Sequence, residues 1–469
     1  MKKITLAIIG LLISSLFIGC KEKPIDEPAG ELSEEYYSGG RNGTVFNRTS
    51  LAFEQPAPAV KDMPAFRRGE KMFENNYVTG SGTPFTGLGP VFIRTSCIAC
   101  HPGYGHSKRV TSFNSEEYGN GYLIMIHTPD GKLHPDYTGM VQTRAVSPYL
   151  PPIKESGIHI TWHDYTDKYG NKYPDGSGYS LIYPTVSIDD GAAMFSLAGY
   201  QVSIEGTIGI YGTGLLDAIT DADLIAERDR QVARGYCVGE LGAMITEADG
   251  SSHPGRYTYG LTRGTLQNGP GSNALWNITN VTRPDRNTLY ATKSWVNKMG
   301  ELGLDTAGFL GGFATTEMKM TEFDDFMIWH RGLAVPAARD LDDPTVKEGR
   351  AIFYEIGCTA CHKPSWTTGT DKYISGYSNQ KIWPYTDLLK HDLGMMEPGL
   401  RQKCRTTPLW GRGLSLICSG HTDRLHDMRA RNTEEAILWH FGDAEQSREK
   451  FRNLPKEKRQ ALIRFIDAI

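Results

Sequence analysis

The chain has no excess of positive charge: 50 Lys and Arg stand against 54 Asp and Glu, a net charge of −4. Without a positive field it cannot hold nucleic acid or an anionic lipid surface by charge, so both are set aside as principal partners. Beyond the first twenty residues it also lacks any apolar run long enough to cross a bilayer, which excludes a polytopic membrane protein. Charged residues make up 22% and hydrophobic residues 39%, an ordinary balance for a globular chain and too apolar for a disordered one. At 469 residues, two to four domains are expected. With 52 Gly, 25 Pro and 23 Tyr, long ordered loops should separate the regular elements.

The first nineteen residues carry the pattern of an export signal. Lys2 and Lys3 form a positive start, residues 4–18 are almost wholly apolar, and Gly19 precedes Cys20. Residues 16–20 (LFIGC) resemble the bacterial lipobox. The resemblance implies cleavage before Cys20, lipid on its sulfur, and a periplasmic lipoprotein that meets the membrane only through that lipid. Residues 20–60 are charged, punctuated by Pro and Gly and without apolar period, and read as a flexible tether, with the folded body starting near Pro64.

Cysteines are few, eight in all, yet four of them fall in Cys97-Ile98-Ala99-Cys100-His101 and Cys358-Thr359-Ala360-Cys361-His362. Chance at this composition gives roughly 0.004 such CxxCH matches per chain, so two copies are a strong haem-attachment signal. Two thiols three residues apart can reach both vinyl groups of one porphyrin, and the adjacent histidine can bind the iron. Two covalently bound c-type haems are therefore expected, with Cys97, Cys100, Cys358 and Cys361 as attachment points and His101 and His362 as iron ligands. A thioredoxin-like CxxC would need a surrounding βαβ pattern, and half a zinc site would need two more ligands. Of the remaining thiols, Cys404 and Cys418 are close enough in sequence for a disulfide across a short loop, leaving Cys237 odd.

A weak internal repeat accompanies the two motifs. Residues 66–73 (FRRGEKMF) precede the first and residues 346–353 (VKEGRAIF) the second, sharing an apolar start, Gly at the fourth position and Phe at the eighth. Both read as helices with a close-approach notch. Between them, residues 122–127 followed by Asp130-Gly131 read as a strand and turn, and residues 158–163 alternate as a strand does. The expected organisation is an N-terminal haem region over 61–117, a β-rich insertion over 118–210, a helical inter-haem region over 211–335 and a C-terminal haem domain over 336–469. The expected fold class is mainly α: two cytochrome c-like domains with long loops and a β-rich insertion.

Residues 87–92 (GLGPVF), 214–219 (GLLDAI), 384–394 (PYTDLLKHDLG), 407–411 (TPLWG), 425–431 (LHDMRAR) and 434–440 (EEAILWH) resemble the di-haem oxidoreductase family classed as peroxidases, and more distantly the bacterial di-haem cytochrome c peroxidases. The family's Gly-Arg-Phe-Gly-Trp stretch is only echoed at residues 255–257, and residues 261–295 follow no family pattern. The resemblance implies a peroxidase-like enzyme reducing hydrogen peroxide, with electrons from a small donor cytochrome or similar redox protein passing from the C-terminal to the N-terminal haem. It places His440 as sixth ligand opposite His362, making the His101 haem the reactive centre. Glu205 and Glu240 are the catalytic acid–base candidates; His106, His127, His159 and His163 are alternatives as sixth ligand there, and Met395 and Met396 are soft ligands after the His391 motif. His391 and His426 are expected to organise haem surroundings. A non-enzymatic electron-transfer cytochrome and a high-valent oxidant of a partner protein are the alternative functions.

Overall fold

The computed structural model describes residues 33–81, 85–114, 116–247, 249–267, 269–394 and 403–469. The export segment, Cys20, Met395 and Met396 lie outside them. The helices that frame the site are α1 (Met63–Glu74), α2 (Asp221–Arg234), α3 (Met320–Gly332), α4 (Pro344–Glu355), α5 (Thr433–Leu438) and α6 (Lys456–Ala468). The main strands are β1 (Leu123–His127), β2 (Ile158–Tyr165), β3 (Leu181–Ile188), β4 (Gln201–Glu205), β5 (Lys390–Asp392) and β6 (Lys403–Arg405). They pair antiparallel as β1 with β4, β2 with β3 and β5 with β6, and every sheet among the described residues has two strands.

The repeat seen in the sequence is a repeat of packing. Asp62 caps α1 by accepting from the Ala65 amide at 3.0 Å, and Asp343 caps α4 by accepting from Thr345 and Val346. Each helix has Pro in its first turn, where the missing N–H costs nothing. α1 buries Phe66, Gly69 and Phe73; α4 buries Val346, Gly349 and Phe353. The glycines mark the helix crossings. A Cβ on Gly69 would collide with the Asp325 carbonyl and Trp329 on α3, and one on Gly349 with the Ala461 carbonyl and Phe465 on α6. Phe66, Phe73, Trp329 and Trp410 belong to one core, and Phe353, Tyr385, Trp439 and Phe465 to a second.

Two expectations are corrected. The described residues are 31% helix and 16% strand with only small sheets, so the fold is not mainly α. Two-stranded ribbons and loops take up much of the chain, and side chains such as Arg94, which donates to the Asn120 and Ile93 carbonyls, order the loops. Nor is the whole of 20–60 a tether. Tyr36 and Tyr37 are buried, Thr44 and Val45 pair in parallel with Val335 and Pro336, and Glu35 holds Arg350 and Tyr385. These partners lie some three hundred residues downstream, which is why local composition did not reveal them. No helix among the described residues is long and apolar enough to cross a membrane.

Gly69→Ala and Gly349→Ala should each cost about 1–3 kcal/mol by overpacking, read as a lower denaturant midpoint. Gly191→Ala, with nothing within 4 Å of its added Cβ, should change stability by less than about 0.5 kcal/mol.

Candidate haem centres

The C-terminal motif begins where α4 ends. Gly357, with φ at +94°, takes the left-handed conformation that lets the chain turn, and Cys358–Ala360 follow as one tight turn that brings Cys361 and His362 back toward the core. His362 Nδ1 lies 3.0 Å from the Tyr385 carbonyl. Across from it stands His440, just past α5, whose start is fixed by Asn432 accepting from the Glu435 amide. His440 Nδ1 lies 2.5 Å from the Ala436 carbonyl. With each Nδ1–H donating to backbone, both Nε2 lone pairs are left for a metal. The ring centres are 6.3 Å apart. Two imidazoles that share one metal ion, each bonding at about 2.0–2.1 Å, stand roughly that far apart. Burial lowers the pKa of both rings, His362 to about 4, and so keeps them in the neutral, ligating form.

A cavity of about 1340 Å³ surrounds this pair, counting its open mouth, and Cys358, Cys361, His362 and His440 line it. Arg405, Arg412 and Arg424 also line the wall. Burial pulls Arg405 and Arg424 down to about 10 and lowers Arg412 as well. Among the described residues none of the three donates to a carboxylate. Arg405 meets the Arg256 carbonyl, Arg424 the Thr422, Asp423 and Arg412 carbonyls, and Arg412 the Pro408 carbonyl and His106; Arg405 Nε has no partner. Like charges buried together are costly unless counter-charges join them, and the two propionates of a haem are such counter-charges. The donor set therefore fits haem.

The N-terminal motif is also buried, with Cys97 and Cys100 at 6% and 3% exposure. The Thr207 hydroxyl donates to the Cys100 carbonyl at 2.7 Å, and His101 Nδ1 lies 3.4 Å from the Gly105 carbonyl. Burial takes His101 to about 4. Tyr77 Oη, Trp329 Nε1 and both ring nitrogens of His330 are buried without partners, and Tyr77 and His330 are within electrostatic reach of Cys97 and His101 respectively. Such unmet polar atoms beside a CxxCH motif fit a missing polar-edged group there too.

The structure sorts the remaining candidates. Glu240 is exposed and bridges Lys403 and Lys390 at the surface, so it is not the acid–base group of a buried centre. Glu205 is buried at the end of β4, two residues before Thr207. His106 is taken up by Arg412 in the cavity wall. His127 spends its nitrogens on the Thr128 carbonyl and Ser203, exposed His159 meets Asp189, and His163 contacts Thr185, all within the β ribbons rather than over an iron site. Cys404 and Cys418 are not joined: Cys404 lies on β6 in the cavity wall, and Cys418 faces the Thr49 carbonyl. Cys237 instead approaches Cys361 and the Asp443 carbonyl. His426 lines the cavity. His391 Nε2 bonds Asp387 at 2.7 Å, with Asp443 on its other side.

The chain belongs to the di-haem oxidoreductases: the family model described as "Di-haem oxidoreductase, putative peroxidase" matches residues 196–469. It is thus an oxidoreductase of a family that uses two haems. No curated protein matches the chain. Among solved structures, a chain of the xenon-pressurised hydrazine synthase of Kuenenia stuttgartiensis is similar over 40% of this chain and 65% of its own, at 16% identity and a TM-score of 0.23. The match spans just under two thirds of that chain, and a likeness at this level carries no argument.

Burial alone would lower the pKa of His391, but Asp387 and Asp443 outweigh it and raise it to about 9. A raised folded pKa contributes stability that is complete below the unfolded value of about 6.5 and is lost as pH rises through 9. The stability gap between the native holoprotein and His391→Gln, followed by thermal unfolding, should be largest near pH 6 and shrink by about 2–4 kcal/mol by pH 9–10.

Proposed function

We propose that this chain is a periplasmic di-haem c-type oxidoreductase, held to a membrane by lipid on Cys20, that reduces hydrogen peroxide with electrons from a small donor cytochrome or similar redox protein. Thioether bonds from Cys97 and Cys100, and from Cys358 and Cys361, attach the haems, with His101 and His362 as their anchored ligands. The observation that carries this reading is the asymmetry of the two centres. His362 and His440 face each other at 6.3 Å and would fill both axial positions of one iron, which favours a centre that only passes electrons. His101 is anchored, buried and neutral, and no second histidine is paired with it among the described residues as His440 is with His362; the polar atoms of Tyr77, Trp329 and His330 near it have no partners there, which favours a centre able to take in a small reactant.

When bound, the haems supply storage for the two electrons that, with two protons, turn one hydrogen peroxide into two waters. The chain contributes position and path. Gly105, whose carbonyl faces His101 Nδ1, is followed directly by His106, which receives Arg412 in the wall of the other centre's cavity. One peptide unit and one hydrogen bond thus separate the His101 ring from that cavity wall, which supports a direct relay from the C-terminal to the N-terminal centre. The buried arginines favour electron entry at the C-terminal centre, because positive charge stabilises its reduced state.

Low-temperature EPR and absorption of the form lacking residues 1–20, oxidised, half-reduced, and then mixed with one equivalent of peroxide, test the reading. One low-spin signal that persists and one open centre consumed by peroxide are expected. Two low-spin signals unchanged by peroxide in every redox state would make the protein an electron-transfer cytochrome. His440→Ala should convert the persistent low-spin signal to high spin and leave the peroxide-reactive one in place.

A further inference from the structure

His330 closes the last turn of α3 with 4% of its surface exposed. Neither of its ring nitrogens bonds to anything. Leaving a buried donor and a buried acceptor unmet is costly, so a group able to meet them belongs beside this ring. The surroundings say where that group sits. Trp329 and Phe326 pack against His330 with ring centres at 5.5 and 6.1 Å. Trp329 lies on Phe73 at 4.6 Å, and Phe73 in turn faces His101 at 6.0 Å. His330 also falls within the electrostatic reach of His101. The unmet Tyr77 hydroxyl and Trp329 indole N–H belong to the same neighbourhood, the first beside Cys97 and the second on the Phe73 ring. Unmet polar atoms from α3 and from the segment after α1 therefore gather at the N-terminal centre.

The way the rings are held separates His330 from the iron ligands. His101, His362 and His440 each point Nδ1 at a backbone carbonyl, the arrangement that fixes the orientation of a ligating imidazole. His330 has no such anchor. It stands near His101 without the backbone bond that the other three rings make.

We propose that His330 is the distal acid–base residue of the N-terminal centre, its imidazole accepting the proton of a protonated ligand arriving opposite His101. This deepens the peroxidase reading and rests on it for the identity of the reactant. With hydrogen peroxide, His330 takes one proton as the peroxide binds and returns it to the departing oxygen. The two electrons come from the haem pair and both added protons from solvent, giving two waters. Burial draws His330 down to about 3, so the ring is neutral at physiological pH and carries no proton of its own to block the transfer.

The test uses the holoprotein with His330→Ala and the more conservative His330→Gln, and two probes. One is the rate of reaction of the half-reduced protein with hydrogen peroxide. The other is the rate at which hydrogen cyanide, which must also give up a proton to bind ferric iron, binds the oxidised N-terminal centre. Both rates should fall by about 100-fold or more in each variant. The EPR spin state of that centre should be unchanged, and the intact low-spin signal of the C-terminal centre serves as the check on folding. A low-spin signal that turns high-spin in the variants would make His330 an axial ligand and overturn the proposal. Unchanged cyanide and peroxide rates would overturn it as well. If cyanide binding slows in the variants but native protein ignores peroxide, the peroxide reading fails while the acid–base role stands.

Discussion

Positive charge gathered in the wall of one buried cavity shapes the C-terminal half of this molecule. Arg405, Arg412 and Arg424 are held by backbone carbonyls rather than by acids, so their guanidinium groups cannot fold away from the cavity without abandoning those bonds. Their attachment points span β6 and the loops from Pro408 to Asp423, and the cavity they face is closed on its other sides by α4, α5 and the His362 turn. A dianionic, planar occupant answers the charge and fills the space together. Cofactor uptake and the stability of this half are therefore linked, because whatever binds the folded cavity and not the unfolded chain draws the equilibrium toward the folded form.

The histidines divide by how they are held. Three rings with Nδ1 fixed to carbonyls have one orientation and one free lone pair, while His330 has packing around it and no hydrogen bond. The two centres differ accordingly: one presents two pinned imidazoles to a shared point, the other presents one. On the proposed function, the placement of a single side chain, not a difference in the attachment motif, separates the relay centre from the reactive one.

Much of this lies on the surface of the sequence and some of it does not. The paired CxxCH motifs and the glycine-notched helices are local patterns, and local patterns are read directly. The helix over 320–332 is legible too, yet Phe323, Phe326, Met327 and His330 follow one stripe at i, i+3, i+4 and i+7, so the histidine passes for a member of the core face. That break in an apolar stripe was the available signal. Glu240 looked plausible because Lys390 and Lys403 are remote in sequence, and the Cys404–Cys418 pairing because sequence proximity says nothing of the strand and helix that separate them. The mainly α expectation failed for a related reason: the order in the loops comes from long-range side-chain bonds, which no window of residues contains.

The segment around residues 34–45 extends that point from structure to kinetics. The Tyr36 hydroxyl bonds Asp342, 306 residues away, the Tyr36 carbonyl receives the Ala338 amide, and Glu35 meets Tyr385, 350 residues away. The earliest part of the described chain is thus a component of the core built around Phe353, Tyr385 and Phe465. Closing so long a loop is entropically expensive and slow, and the C-terminal core stays incomplete until it closes. Until then Tyr36 and Tyr37 are missing from the core that holds Phe353 and Tyr385, which stand on either side of the second CxxCH motif in the sequence.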